Sequence, residues 1–174
     1  NTPYNSLLLY HGLGTGKTCS AIGVSEEMRK YMKQMNMKKS IIIIASPNVQ
    51  DNFKLQLFDE KKLTETNGLW NIRGCVGNSL INEINPSKIQ NMPRHKVISQ
   101  IKNLINKYYV FMGYTQFSNY VANKIENIMV STTQDKKKQK IKKIKSLFDN
   151  RLVIIDEVHN IRITNDNTNK KTAE

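Results

Sequence analysis

The chain has 174 residues, of which 39% are hydrophobic, so it is long enough for one domain with a buried core. Its most obvious apolar run, "IIIIA" at 41–45, has the length of a strand and is far too short for a membrane span. The 27 Lys and Arg residues outnumber the 14 Asp and Glu residues, which gives a net charge of +13. This charge favours a polyanionic partner such as nucleic acid, although heavy use of Lys, Asn and Ile also fits a coding bias.

The cysteines and the two ends of the chain indicate its setting. Cys19 and Cys75 are too few for a disulfide framework or a metal site, so we expect an intracellular, reducing environment, and we interpret Cys19 as a small packing residue within the first helix. The chain starts without Met, almost on top of a motif, and stops in polar sequence. We therefore expect it to be a piece of a larger protein.

Apolar periodicity predicts alternating strands and helices. A buried strand is expected over 6–10, followed by a helix over 17–35 whose inner face carries Val24, Met28, Tyr31 and Met35. The β-branched run at 40–46 predicts a strand of the kind buried on both faces of a parallel sheet. The next helix is expected to start near Asn48, and residues 64–87 give no clear pattern.

The second half repeats this alternation. A helix is expected after Pro93, a strand over 108–113, and a further helix beyond it. Asp135 can cap a lysine-rich helix that packs through Ile141, Ile144 and Phe148, so its lysines are interpreted as a solvated face. A last strand runs over 152–155 and ends in acids. The alternation predicts an α/β fold, a three-layer sandwich with a mainly parallel central sheet.

The glycine-rich segment "HGLGTGKT" at 11–18 follows the first predicted strand and opens the first helix. This is the G-x-x-x-x-G-K-[ST] phosphate-loop pattern, except that its first position is His11. The glycines let the backbone turn its N–H groups toward phosphate oxygens, Lys17 adds a cation, and the Thr18 hydroxyl is suited to ligate Mg²⁺. The predicted ATP-binding residues are Gly12, Leu13, Gly14, Thr15, Gly16, Lys17, Thr18 and Cys19.

A second motif, "LVIIDEVH" at 152–159, is a strand that ends in two acids. A phosphate loop needs a carboxylate near Mg²⁺ and a group that aligns the attacking water. We expect Asp156 to hold the Mg²⁺ and Glu157 to activate the water, with Lys17 as the second catalytic residue.

Together the two motifs resemble the first motor domain of superfamily 2 DExH-type helicases and translocases. Between them, "IIIIASPNVQDNF" resembles motif Ia of that superfamily, and "VFMGYTQF" resembles the strand and Tyr-containing turn of motif Ib. The opening "LLLYHGLGTGKTCSAI" is similar to helicase-like proteins of large cytoplasmic DNA viruses, including poxvirus early-transcription ATPases. The resemblance extends from about residue 6 to residue 163.

The resemblance implies a RecA-like domain, formed by 1–174, that hydrolyses ATP with Mg²⁺ and moves on nucleic acid. It implies that a second RecA-like domain of the same chain supplies arginines to the γ-phosphate, so we expect residues 1–174 alone to be nearly inactive. The resemblance also implies that His159 links the nucleotide site to the next motif or domain. Viral transcription machinery is an implied partner, and the host cytoplasm or the virion an implied location.

Nucleic-acid contacts are expected at the turns that follow two strands, because these turns share the sheet edge of the nucleotide. DNA is favoured over RNA as the track, and no membrane contact is expected. The predicted contact residues are Pro47, Asn48, Gly113, Tyr114 and Thr115.

Two other classes of protein fit the phosphate loop. One is a P-loop ATPase of a different kind, such as an AAA-type remodeller or an ABC-type ATPase. The long stretch between Lys17 and Asp156 and the lack of a Leu-Ser-Gly-Gly-Gln signature argue against these. The other is a nucleotide-gated scaffold that does not translocate.

Overall fold

A computed structural model describes residues 6–10, 16–126 and 133–161 of the chain. The helices are α1 (Lys17–Gln34), α2 (Pro47–Leu57), α3 (Ser79–Ile84), α4 (Arg94–Tyr108), α5 (Tyr114–Glu126) and α6 (Thr133–Phe148), with short 3₁₀ turns at Glu60–Lys62 and Val158–Ile161. The strands are β1 (Ile41–Ile44), β2 (Leu63–Thr66), β3 (Leu69–Ile72), β4 (Tyr109–Met112) and β5 (Val153–Ile155). Within these ranges, no helix is long and apolar enough to cross a membrane.

The main sheet is parallel and has the strand order β4-β1-β5. In the centre, Ile43 of β1 lies opposite Phe111 of β4 and Ile154 of β5. All four isoleucines of β1 are at most 1% exposed, and Phe53 of α2 is buried in the same core. β-branched side chains pack well on a sheet that is covered on both faces. These features confirm the predicted α/β class and the parallel sheet.

The unassigned region contains a β-hairpin and α3. β2 and β3 pair in antiparallel fashion as a separate two-stranded sheet, with Thr66 opposite Leu69. Asn67 and Gly68 form the turn with φ of 52° and 75°. Positive φ at both positions is the geometry of a tight hairpin turn, which Asn-Gly adopts readily. The Asn67-Gly68 pair was therefore the sequence signal for this hairpin.

The predicted strand over 6–10 is wrong in this structure. These residues form no regular structure, and Leu7, Leu8 and Tyr10 are 68%, 76% and 91% exposed. A strand exists only through hydrogen bonds to a neighbour, and 6–10 pairs with none of the described strands. Apolar composition alone therefore did not place this segment in the sheet.

The predicted inner face of α1 is also wrong. Val24, Met28, Tyr31 and Met35 are 38–57% exposed. The buried residues of α1 lie on another face and are mostly polar: Ile22, Ser25, Glu26, Arg29 and Met32. Polar side chains can be buried when they find hydrogen-bond partners, which a hydropathy pattern does not register.

Those partners form a connected network between α1, β4 and α3. Arg29 binds Glu26 through Nε at 2.9 Å and Nη2 at 2.8 Å, and it reaches Glu83 through Nη1 at 2.7 Å. The Tyr109 hydroxyl donates to Glu26 Oε1 at 2.6 Å and lies 3.0 Å from Ser25 Oγ. Burial is the first cause that raises the pKa of Tyr109, followed by the charge of Glu26, so the hydroxyl stays a donor. The network fixes how α1 sits against the sheet.

Cys19 and Cys75 are joined in a disulfide, with their Cα atoms 5.3 Å apart. The interpretation of Cys19 as a packing residue without a disulfide is therefore wrong in this structure. The β2–β3 hairpin and the loop after it bring Cys75 next to the first turn of α1. A separation of 56 residues along the chain gave no indication of this proximity.

The lysine-rich helix α6 begins at Thr133, two residues before the predicted cap Asp135. Its predicted inner face is only partly correct, because Ile141 is 46% exposed, whereas Phe148 packs against Phe117 of α5 with ring centroids 5.8 Å apart. The α6 helix therefore packs through Phe148, while Ile141 lies exposed among its lysines.

Candidate nucleotide site

Three turns meet at the carboxyl edge of the parallel sheet. β1 leads into α2 at Pro47, β4 leads into α5 at Gly113, and β5 leads into Asp156. The Asp156 N–H donates to the Ile44 carbonyl at 2.9 Å, and the Ala45 N–H donates to the Met112 carbonyl at 3.1 Å. These bonds extend the ladder just past the strands and hold the turns side by side. Ligands of open α/β sheets bind at this edge.

The start of α1 has the geometry of an anion site. Gly16 precedes the helix with φ of 86°, a left-handed conformation that glycine adopts without strain. The first helical bond runs from the Ser20 N–H to the Gly16 carbonyl at 3.0 Å. The N–H groups of Lys17, Thr18 and Cys19 therefore have no partner within the helix, and N–H groups in this position are the ones that bind phosphates.

The remaining predicted phosphate-loop residues, Gly12, Leu13, Gly14 and Thr15, lie outside the described residues. Of the part that is described, Lys17 and Thr18 are half-buried, whereas Cys19 is exposed.

Asp156 is held in an unfavourable environment for a negative charge. Burial first, and the neighbouring charge of Glu157 second, raise the pKa of the Asp156 carboxyl above its ordinary value. The positive charges of Lys17 and His159 act in the opposite direction. The start of α1 and the end of β5 therefore lie close enough for Lys17 to act on Asp156 through its charge.

Glu157 has a strained backbone and an exposed carboxylate. Its φ is 46°, in the left-handed region that costs a non-glycine residue about 1–3 kcal/mol. Its side chain is 54% exposed, and its Oε2 lies 3.3 Å from Nδ1 of His159. The Asn160 N–H closes the turn by donating to the Glu157 carbonyl at 2.9 Å. Strain of this kind is characteristic of functional turns.

The residues at this edge fit a magnesium ion. The half-buried Asp156 carboxylate accepts no hydrogen bond and makes no ion pair among the described residues, and a cation would offset both the burial and the repulsion from Glu157 that raise its pKa. The described ranges hold no cluster of three or more His, Cys, Asp or Glu side chains suited to a metal. Mg²⁺ bound with a nucleotide typically uses one or two protein ligands and completes its shell with phosphates and water.

The predicted nucleic-acid residues lie at the same edge. Pro47, Asn48 and Thr115 are exposed. The other two predicted residues make hydrogen bonds within the chain. Gly113 is half-buried, and its N–H donates to Gln116 Oε1 at 2.9 Å. The Tyr114 hydroxyl donates to the Asp156 carbonyl at 2.8 Å.

Comparison with known proteins finds viral relatives. The chain is 28% identical over 92% of its length to a protein of Acanthamoeba polyphaga mimivirus named "Putative ATP-dependent RNA helicase", of which it covers 14%. A second mimivirus protein of the same description is 28% identical over 92% of the chain and 22% of that protein. A "Putative helicase" of Invertebrate iridescent virus 3 is 26% identical over 95% of the chain and 14% of that protein.

The chain thus spans 14–22% of the length of these relatives. No family model matches it, and no solved structure matches it. The similarity to these mimivirus and iridescent virus proteins supports the resemblance to viral helicases, without the finer subtype.

Sequence reasoning missed two polar contacts that organise the site. One is the bond from Tyr114 to Asp156, and the other runs from Gln50 Nε2 to the Ala45 carbonyl at 2.8 Å at the end of β1. In both contacts, the donor is a side chain that follows a strand by a few residues. Their position shortly after a strand, at the carboxyl edge of a parallel sheet, was the sequence signal that could have indicated these contacts.

Proposed function

We propose that this chain is the first RecA-like domain of a superfamily 2 DExH-type helicase or translocase. In this proposal it has the three-layer arrangement of that domain, binds ATP with Mg²⁺, and couples ATP hydrolysis to movement on nucleic acid. The whole protein would act in viral transcription or genome handling, in the host cytoplasm or the virion.

One observation carries the proposal. The first N–H groups of α1 have no partner within the helix, and the charge of Lys17 at this helix start acts on Asp156 at the carboxyl end of β5. A phosphate-binding helix start beside two acids is what nucleotide hydrolysis requires. Both mimivirus relatives carry the name "Putative ATP-dependent RNA helicase", which supports the same function.

Each residue has a proposed role. The segment 12–19 holds the phosphates of ATP, and Lys17 adds positive charge to them. Thr18 and Asp156 would hold Mg²⁺, which when bound neutralises charge on the phosphate oxygens. Glu157 orients and deprotonates the attacking water, and His159, in contact with Glu157, couples the site to its surroundings.

The first test is nucleotide affinity. We expect Lys17→Ala to weaken binding of ATP in the presence of Mg²⁺ by about 10- to 100-fold, since it removes a charge-assisted contact to the phosphates. Isothermal titration of the chain with a non-hydrolysable ATP analogue measures this.

Lys30→Ala is the matched control. Lys30 is on the same helix, half-exposed and paired with Glu27 at 2.7 Å, away from the sheet edge. Its replacement should leave the affinity unchanged. Equal affinities for wild type, Lys17→Ala and Lys30→Ala would contradict the phosphate-loop assignment.

The second test concerns nucleic acid. We expect Asn48→Glu and Thr115→Glu to weaken oligonucleotide binding more than Lys140→Glu and Lys143→Glu on α6 do. The first two residues are exposed at the sheet edge beside the nucleotide. Binding should fall steeply with salt and depend little on sequence, because phosphate contacts dominate.

Fluorescence anisotropy with single-stranded DNA and RNA of one sequence measures this ranking and tests the preference for DNA. The α6 helix still packs through Phe148, but Ile141 is exposed, so the expected ranking rests mainly on the position of the turns. If the α6 substitutions weaken binding more, the nucleic-acid surface is α6.

A further inference from the structure

Tyr114 connects two turns that the sheet itself keeps apart. It is the first residue of α5, two residues after the end of β4, and its hydroxyl donates to the main-chain carbonyl of Asp156 at 2.8 Å. β4 and β5 are separated by β1, so their axes are about 10 Å apart. The tyrosine side chain and its 2.8 Å hydrogen bond together bridge the two turns. Asn160 Nδ2 lies 3.3 Å from the same hydroxyl, so the contact includes the far side of the Asp156–Glu157 turn.

The carbonyl that Tyr114 holds is well placed to orient both acids. It belongs to the peptide plane that joins Asp156 to Glu157. On one side of it, the Asp156 N–H is fixed by the Ile44 carbonyl at 2.9 Å. On the other side, Glu157 adopts φ of 46°. A strained conformation persists only when its surroundings hold it, and the Tyr114 hydroxyl is one of the groups that do so.

We propose that Tyr114 is a positioning residue for the Asp156–Glu157 turn: its hydroxyl holds the peptide plane so that the two carboxylates face the bound metal and nucleotide. This inference rests on the proposed function of the site. It assigns to Tyr114 a role in the ATP site, in place of the direct nucleic-acid contact expected from its position. The neighbouring Thr115 remains the exposed residue of that turn.

The test compares Tyr114→Phe with Tyr120→Phe in the chain. Tyr120 is on the same helix, and its hydroxyl also has a partner, since Arg151 Nη1 donates to it at 3.2 Å. Both variants lose one hydroxyl and keep the ring, so both should lower Tm by similar small amounts. Only Tyr114→Phe removes a contact to the acidic turn.

Two measurements distinguish positioning from general stabilisation. In the nucleotide-free chain, amide hydrogen exchange over 156–161 should be about 2- to 10-fold faster in Tyr114→Phe than in Tyr120→Phe. With saturating ADP, Mn²⁺ binding followed by electron paramagnetic resonance should weaken by about 2- to 10-fold in Tyr114→Phe alone. Affinity for ADP without metal should be the same in wild type and both variants.

The possible outcomes distinguish a failure of the role proposed for Tyr114 from a failure of the proposed function on which it rests. Faster exchange with unchanged Mn²⁺ affinity would make the bond purely structural and overturn the inference. Unchanged exchange in Tyr114→Phe would overturn it as well. If wild type and Tyr120→Phe also bind neither ADP nor Mn²⁺, the proposed function of the site is wrong, and with it the role of Tyr114 there.

Discussion

Glu157→Gln is expected to lower the rate of ATP hydrolysis by about 10²- to 10⁴-fold while nucleotide affinity stays within error of wild type. Glutamine keeps the size of the side chain but cannot accept the proton of the attacking water. The carboxylate is exposed, it is adjacent to Asp156, and its backbone is in the left-handed region. These features fit a base at the sheet edge rather than a residue that supports the fold.

The measurement is single-turnover hydrolysis in the full-length protein, of which we propose this chain to be one domain. The 174 residues alone should hydrolyse ATP slowly, because an arginine from a second domain is typically worth about 10³ to 10⁵ in rate. Glu27→Gln, exposed on α1 and paired with Lys30, is the control and should hydrolyse ATP as wild type does. A Glu157→Gln protein that retains the wild-type rate would contradict the assigned base.

Arg29→Ala is expected to destabilise the chain by about 3–5 kcal/mol, because it leaves the charge of Glu26 buried without its partner. The side chains of Arg29 and Glu26 are 1% and 4% exposed. Burial alone would lower the pKa of the Arg29 guanidinium, but its bonds to Glu26 and Glu83 outweigh burial and hold that pKa above its ordinary value. The variant also removes the contact of the guanidinium with the Tyr108 ring, 5.3 Å from its centroid.

Urea unfolding followed by circular dichroism measures the loss. Lys30→Ala removes an ion pair of similar length on the same helix, but the side chains of Lys30 and Glu27 are 46% and 75% exposed. Exposed pairs contribute about 0–1 kcal/mol, so this control should unfold near the wild-type midpoint. Equal losses for the two variants would show that the buried network contributes no more than a surface pair.

Local sequence determined much of the domain. The β-branched run of 41–44 predicts a buried parallel strand, because such side chains are stiff and favour a pleated surface covered on both faces. The phosphate-loop pattern predicts the start of α1 after Gly16, where the structure shows a left-handed glycine. The acids at 156–157 follow an apolar strand and lie at its carboxyl end. Each of these features depends on neighbours within a few residues.

Partners that are distant in the chain decided the rest. The inner face of α1 is polar because Tyr109, 83 residues away, completes the hydrogen bonds of Glu26. Tyr114 contacts the turn at Asp156, 42 residues away, because the order β4-β1-β5 brings their strand ends to one edge. A hydropathy pattern sums the preferences of single residues, whereas the free energy of burying a polar group depends on the partner it finds. That partner exists only once the chain has folded.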